Sequence, residues 1–211
     1  MKIDIVYPAL DTETSFINMA RRLGYNGICF LYDEKSNPFS RIKLIKSKIE
    51  KFQIYSAVIS KKPKTSEFDF VFSDNNSQRN IKSGIDILFD IEDVSDSMHQ
   101  RRSGLNQVLC KMMSKYNVAY GINLSSIFNH QNRAQHLGRI MQNIMLCKKY
   151  GVEMVFGSFA KNPIEMRNSD DLESLLRILG VSSSKSCFSY ISKSHSKKTG
   201  ENGLQNGMRK L

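Results

Sequence analysis

KIDIVYPALDTETSFINMARRLGYNGICFLY, from Lys2 to Tyr32, reads as a strand, a helix and a second strand. Its ends, KIDIVYP (Lys2 to Pro8) and GICFLY (Gly27 to Tyr32), are short β-branched and aromatic runs of the kind that suit a pleated, buried surface. Between them Phe16, Ile17, Ala20 and Leu23 recur at helical spacing over Thr12 to Leu23. Gly24 then stands where a helix can end in a left-handed residue. A strand that returns through a helix to another apolar strand is the unit of a parallel sheet covered by helices.

Working outward, the same rhythm continues. A helix is expected over Ser40 to Phe52, then strands at FQIYSAVIS (Phe52 to Ser60), DFVFS (Asp69 to Ser73) and DILFD (Asp86 to Asp90), with a short helical connection near Asn76 to Ser83. Beyond lie a helix from Ser103 to Tyr116, the strand NVAYGINL (Asn117 to Leu124), a long helix from Asn132 to Tyr150, the strand VEMVFGSFA (Val152 to Ala160) and a helix from Ser169 to Leu179. A doubly wound sheet and a barrel both accommodate about seven mostly parallel strands. So many units in residues 1–181, with no glycine-rich phosphate loop, favour a compact, irregular α/β barrel of the TIM type.

The 211 residues carry a formal charge of +11, with 40% apolar and 24% charged side chains, an ordinary balance for a folded domain. No window approaches a membrane span, and the acids near the start do not suit a signal peptide, so no membrane partner is expected and a cytoplasmic location is. Cys29, Cys110, Cys147 and Cys187 are far apart and form no C-x-x-C pair, which suits small buried hydrophobes better than disulfides or metal ligands. The charge is uneven. Residues 1–96 hold fourteen basic and fourteen acidic side chains, whereas residues 97–152 hold eight basic and none acidic. A second basic excess lies in residues 182–211, a Ser, Lys and Gly-rich tail expected to be mostly disordered.

Catalytic constellations are absent. There is no G-x-S-x-G elbow, and Ser158 reads as a strand-end serine bonded to backbone. Of His99, His130, His136 and His195, no two form an H-x-H or H-E-x-x-H pair, so no metal site is expected. Asp74 and Asp90, at strand ends, could hold a cation in a barrel mouth, but such acids more often cap the following helices.

The informative stretch is HQRRSGLNQVLCKMMSKYN (His99 to Asn117). With Ser103 as cap and Leu105, Val108, Leu109, Met112 and Tyr116 as the core face, His99, Arg101 and Arg102 gather at a helix N-terminus, where added positive charge calls for an anion such as phosphate. Pairing of these arginines with Asp90, Glu92, Asp93 or Asp96 is the competing reading. In the long helix, Leu137, Ile140, Met141 and Ile144 form the core stripe. Asn132, His136, Arg139 and Asn143 share a neighbouring face without an acid, which reads as a surface for a polyanion or as a solvated face.

At these residues the chain resembles a known family. HQRRSGLNQVLCKMMSKYNVAYGINLS (His99 to Ser125), RAQHLGRIMQNIMLCKKYGVEMVFGSFA (Arg133 to Ala160) and PIEMR-x-S-x-DL (Pro163 to Leu172) resemble protein component 3 of archaeal ribonuclease P, the family shared with the eukaryotic thirty-kilodalton subunit. The resemblance implies a TIM-barrel-like fold related to the polymerase and histidinol phosphatase superfamily. It also implies a role in the ribonucleoprotein endonuclease that removes 5′ leaders from precursor tRNA. The RNA subunit would carry the chemistry with Mg²⁺, and the protein, catalytic in no residue and holding no cofactor, would stabilise the RNA's active fold. Implied partners are the RNase P RNA, precursor tRNA, a small ferredoxin-like subunit and other RNase P proteins. Within the matched motifs, RNA contacts are expected at His99, Arg101, Arg102, Arg133, Arg139, Lys161 and Arg167. The competing functions are a stand-alone metal-dependent phosphoesterase on the same barrel and a scaffold whose basic faces bind acidic proteins.

Overall fold

Among the described residues seven strands pair in chain order, all parallel: β1 (Ile3–Val6), β2 (Gly27–Asp33), β3 (Gln53–Ile59), β4 (Phe70–Ser73), β5 (Ile87–Phe89), β6 (Ala119–Asn123) and β7 (Met154–Gly157). The computed structural model describes residues 1–9, 11–36, 38–49, 51–60, 67–96 and 101–200. Among these, the crossovers run through α1 (Glu13–Arg22), α2 (Phe39–Lys48), α3 (Gln78–Lys82), α4 (Gln107–Tyr116), and the pair α5 (Leu124–Asn129) and α6 (Arg133–Tyr150). After β7 a 3-10 turn (Pro163–Glu165) leads to α7 (Ser169–Ile178) and α8 (Ser184–Thr199). No helix among the described residues is long and apolar enough to cross a membrane.

The last strand returns to the first and closes the barrel. Phe159 N–H donates to the Ile5 carbonyl at 2.7 Å and Tyr7 N–H to that of Ala160 at 2.8 Å. Ser158 adds its N–H (2.7 Å) and hydroxyl (2.8 Å), both donated to the fully buried Asp4 carboxylate. Burial pushes the Asp4 carboxyl up to about 6, although these bonds and the Ile5 N–H oppose the shift. Two further aspartates serve other seams, Asp69 accepting from Ser56 N–H and Asp86 from Val71 N–H, each at 2.8 Å. Ser158 thus has the structural role expected of it.

Alternation along the strands builds two cores. Ile5, Leu31, Ala57, Phe72, Phe89 and Val155 point into the lumen, while residues such as Val6, Phe30, Val58, Leu88 and Ile122 pack under the helices. The lumen is filled to its upper end, where Phe89 stacks on Phe159 with ring centres 5.4 Å apart. Room is short at the seam: a Cβ on Gly157 would lie 2.6 Å from the Ile5 Cβ, so only glycine fits. All four cysteines are free and buried.

The expected tail is corrected by α8. Residues 184–199 form a helix that plugs the N-terminal end of the barrel, with Cys187, Phe188 and Ile191 buried. Ile191 joins the lumen core, His195 packs edge-on against Tyr55 and lies 3.3 Å from the Asp69 carboxylate, and Lys198 pairs with Asp86 at 2.7 Å. Burial of these apolar side chains, with the aspartates below β4 and β5 to hold its basic end, orders the segment. Residues 201–211 lie outside the described residues.

Candidate nucleic-acid interface

Between β5 and α4 runs residues 90–106, a long connection with no regular secondary structure among its described residues. It departs with Asp90 at a positive φ of 50°, its carboxylate accepting the Asn123 amide at 2.8 and 3.0 Å. Ile91 and Glu92 are buried. The Glu92 carboxylate accepts from the Tyr120 hydroxyl and, at 2.9 Å, from the Asn143 amide. Burial pushes its carboxyl up to about 7 against those bonds. The far limb is held at Ser103, buried, whose carbonyl accepts Asn143 Nδ2 at 2.7 Å. At Gly104, φ is 93° and a Cβ would lie 2.1 Å from the Ile91 carbonyl oxygen, so the two limbs touch backbone to backbone.

Asp96 gathers the middle of the connection. Its carboxylate accepts from Arg102 N–H (3.0 Å), Gln135 Nε2 (3.1 Å) and Arg139 Nη2 (3.2 Å), and the Arg102 amide bond is the main cause holding its carboxyl below the ordinary range. With this anion occupied, Arg101 and Arg102 stay exposed. Beside them the connection and the Ala134, Gly138 and Gln142 side of α6 enclose a cleft of about 590 Å³, lined by Arg101, Arg102 and Arg139 against the lone carboxylate of Asp96.

Several sequence expectations need correcting. Asn106, not Ser103, caps α4, its Oδ1 accepting Leu109 N–H at 2.9 Å, so Arg101 and Arg102 precede that terminus by several residues and the helix needs no anion. Starting α4 there turns Leu109, Cys110 and Met113 inward and leaves Val108 and Tyr116 exposed. On α6, the face holding His136, Arg139 and Asn143 is buried, while Met141 of the expected stripe is exposed. Described residues of the 90–106 connection hold Arg139 and Asn143, while His136 meets Ser126 of α5 at 3.1 Å; Arg139, 9% exposed, also donates to the Glu92 carbonyl at 2.9 Å. Arg139 therefore holds the connection and is not a free phosphate ligand. Ser77, not Asp74, caps α3, and Asp90 binds Asn123 without capping α4.

The other expected contacts scatter. Arg133 is exposed at the start of α6, donating to the Phe128 carbonyl at 2.7 Å with its guanidinium over the Phe128 ring. Arg167 is exposed and donates to the carbonyls of Ile164, Glu165 and Met166. Lys161 lies at the C-terminal mouth of the barrel, lining a second cleft of about 570 Å³ with Asp33, Asp74 and Asp90. His99 lies outside the described residues. Tyr7 donates to Asp33 and Asn123 to Asp90, so two of the three mouth acids have neighbours as partners. Among the described residues no group of three or more His, Cys, Asp or Glu side chains is placed to hold a metal ion.

The profile of the family described as RNase P subunit p30 matches residues 1–196. The chain belongs to this family. The p30-family chain is 25% identical over 196 residues to Ribonuclease P protein component 3 of Methanocaldococcus jannaschii, covering 85% of this chain and 82% of that one. With the Methanococcus vannielii protein of the same name it shares 32% identity over 84 residues, 39% of this chain and 36% of that one, so that match spans about a third of the relative's length. Among solved structures it superposes on a chain of an archaeal ribonuclease P with mature tRNA, seen by cryo-EM, at TM-score 0.75 and 20% identity, covering 99% and 95% of the two chains. It also superposes on histidinol phosphate phosphatase of Lactococcus lactis at TM-score 0.58 and 11% identity, covering 85% and 94%. The p30-family chain thus has the barrel expected from its strand rhythm. Sequence reasoning singled out Arg101, Arg102 and Arg139, which the structure brings together with Asp96 in one cleft, but missed Gln135 and the inward direction of Asn143, for which spacing on α6 offered a face but not its covering.

Proposed function

We propose that this p30-family chain is the RNA-binding protein subunit of a ribonuclease P, with the cleft between the 90–106 connection and α6 lying against the phosphate backbone of the RNA. The observation that carries this reading is the surplus of guanidinium in that cleft: its single carboxylate accepts from three internal donors, leaving Arg101 and Arg102 exposed and without an ion pair among the described residues. Phosphate contact would release counterions and fix register through shape, not base sequence. Arg133 and Arg167 would extend the contact around α5, each guanidinium already oriented by backbone carbonyls.

In this reading the RNA supplies the cleavage of precursor tRNA with Mg²⁺, while the protein, with a small ferredoxin-like subunit and other RNase P proteins, favours the RNA's active form. The experiment is reconstitution. The purified chain alone should leave precursor tRNA uncut, and adding it with its partner proteins to the RNA should lower the Mg²⁺ needed for 5′-leader removal. An unchanged Mg²⁺ requirement would refute the reading.

A further inference from the structure

We propose that Asn143 is a positioning residue for RNA binding: buried and out of reach of any RNA, it pins both limbs of the 92–103 segment and so sets where Arg101 and Arg102 stand. This rests on the reading of that cleft as the RNA contact.

The geometry is specific. Asn143 sits in α6 with no exposure, and its single amide nitrogen donates to the Glu92 carboxylate at 2.9 Å and to the Ser103 carbonyl at 2.7 Å. One side chain thereby ties the segment where it leaves the core to where it returns. Arg139 and Gln135, one and two turns earlier on the same helical face, continue the clamp outward through the Glu92 carbonyl and Asp96. The Asn143 carbonyl oxygen has no partner among the described residues, so donation is what the residue contributes. Tyr120 closes the set from β6, its hydroxyl donating to the same Glu92 carboxylate.

The described residues of this connection lie in no helix or strand, and limbs left unheld would have to be ordered when RNA arrives, weakening binding by that cost. Holding its limbs in advance removes the cost while leaving the two guanidinium groups outside. The clamp is internal and polar, and Asn143→Asp breaks it with little change of shape, setting a second carboxylate against Glu92 and an acceptor against the Ser103 carbonyl.

The test is a double-mutant cycle with the full chain and the cognate RNase P RNA transcript, read as equilibrium affinity at fixed salt, with a thermal melt of each variant. N143D should lower affinity about 10-fold in the wild-type background and less than about two-fold in the R101A/R102A background, because its effect passes through those arginines. Adding E92Q to N143D gives the buried carboxylate at 143 an amide donor again and should recover most of the affinity. Should N143D not fold at the assay temperature, N143A takes its place in the same cycle. An equal loss in both backgrounds, or no loss in either, overturns the positioning role while leaving the cleft's reading intact. If R101A/R102A itself binds as tightly as wild type, the RNA-contact reading falls and takes the positioning role with it.

Discussion

Two clefts of nearly the same size, about 570 and 590 Å³, open on opposite kinds of chemistry. The barrel mouth, where α/β barrels keep their reacting groups, is lined by Asp33, Asp74 and Asp90 with only Lys161 against them. The side cleft inverts this pattern, with Arg101, Arg102 and Arg139 against only Asp96. A polyanion would be repelled at the first and drawn to the second. Moreover, the mouth is floored by the stacked Phe89 and Phe159 rings, and two of its acids already accept hydrogen bonds. The barrel thus presents acids at its mouth and its surplus of guanidinium on its flank, between one long connection and the helix beneath it.

Charge reversal in the side cleft should have the largest effect. R101E/R102E should weaken RNA affinity on the order of 100-fold, and R101A/R102A should flatten the plot of log affinity against log salt by roughly 1 to 2. Filter binding across a salt series measures both. Unchanged affinity for the Glu variant would favour an acidic protein partner and dissolve the contrast between the clefts.

The next effect concerns stability behind the side cleft. Glu92 has a folded-state value of about 7 against an ordinary 4.5, so between those pH values the folded chain binds a proton that the unfolded chain has released. Stability from this group is therefore highest below about pH 4.5 and is lost as pH rises through 7, a decline on the order of 3 kcal/mol. Burial is the main cause and the Asp90 charge adds to it; the bonds from Tyr120 and Asn143 oppose the rise without cancelling it, and Arg139 reaches only the Glu92 carbonyl. E92Q should melt at a higher temperature than wild type at pH 8 and at a similar one near pH 5. A wild-type advantage at pH 8 would show that ionised Glu92 stabilises the fold.

Rigidity of the connection can be tested separately from its charge. A side chain at Gly104 must displace the Ile91 carbonyl oxygen and adopt an unfavourable φ, so G104A should destabilise the chain by about 2 kcal/mol in urea unfolding. Its RNA affinity should fall less than that of R101E/R102E, because both guanidinium groups remain.

How much of this was legible in the sequence depends on what covers each surface. The strands announced themselves because both their faces are buried in hydrocarbon, which leaves unbroken runs such as Ile28 to Leu31. Arg101 and Arg102 were legible as the start of a stretch, residues 97–152, that holds no acid, although four acids stand just upstream of it. The polar face of α6 was not, since Arg139 and Asn143 are buried by a polar connection, and such a stripe has the composition of a wet one. Likewise α8 hides its helix in serines. Ser184 and Ser189 are buried, and Ser186, Ser189 and Ser192 return their hydroxyls to carbonyls three residues back, so small polar residues occupy places where a periodic pattern would show hydrocarbon.

The smallest effect belongs to the mouth, and it tests the contrast from the other side. Lys161 was expected among the RNA contacts, yet the acids around it cancel its field, and a phosphate approaching it would meet three carboxylates within the same cleft. K161A should therefore change RNA affinity by less than about two-fold at moderate salt, where fields beyond roughly 8 to 10 Å are screened. In a D33N/D74N background the lysine is relieved of two of those charges, and the same K161A substitution should then cost more. Measuring the four affinities separates two accounts. A larger cost in the neutralised mouth shows that its acids hold RNA away, whereas a loss above about five-fold in the native mouth would bring the barrel's upper rim back into the RNA interface.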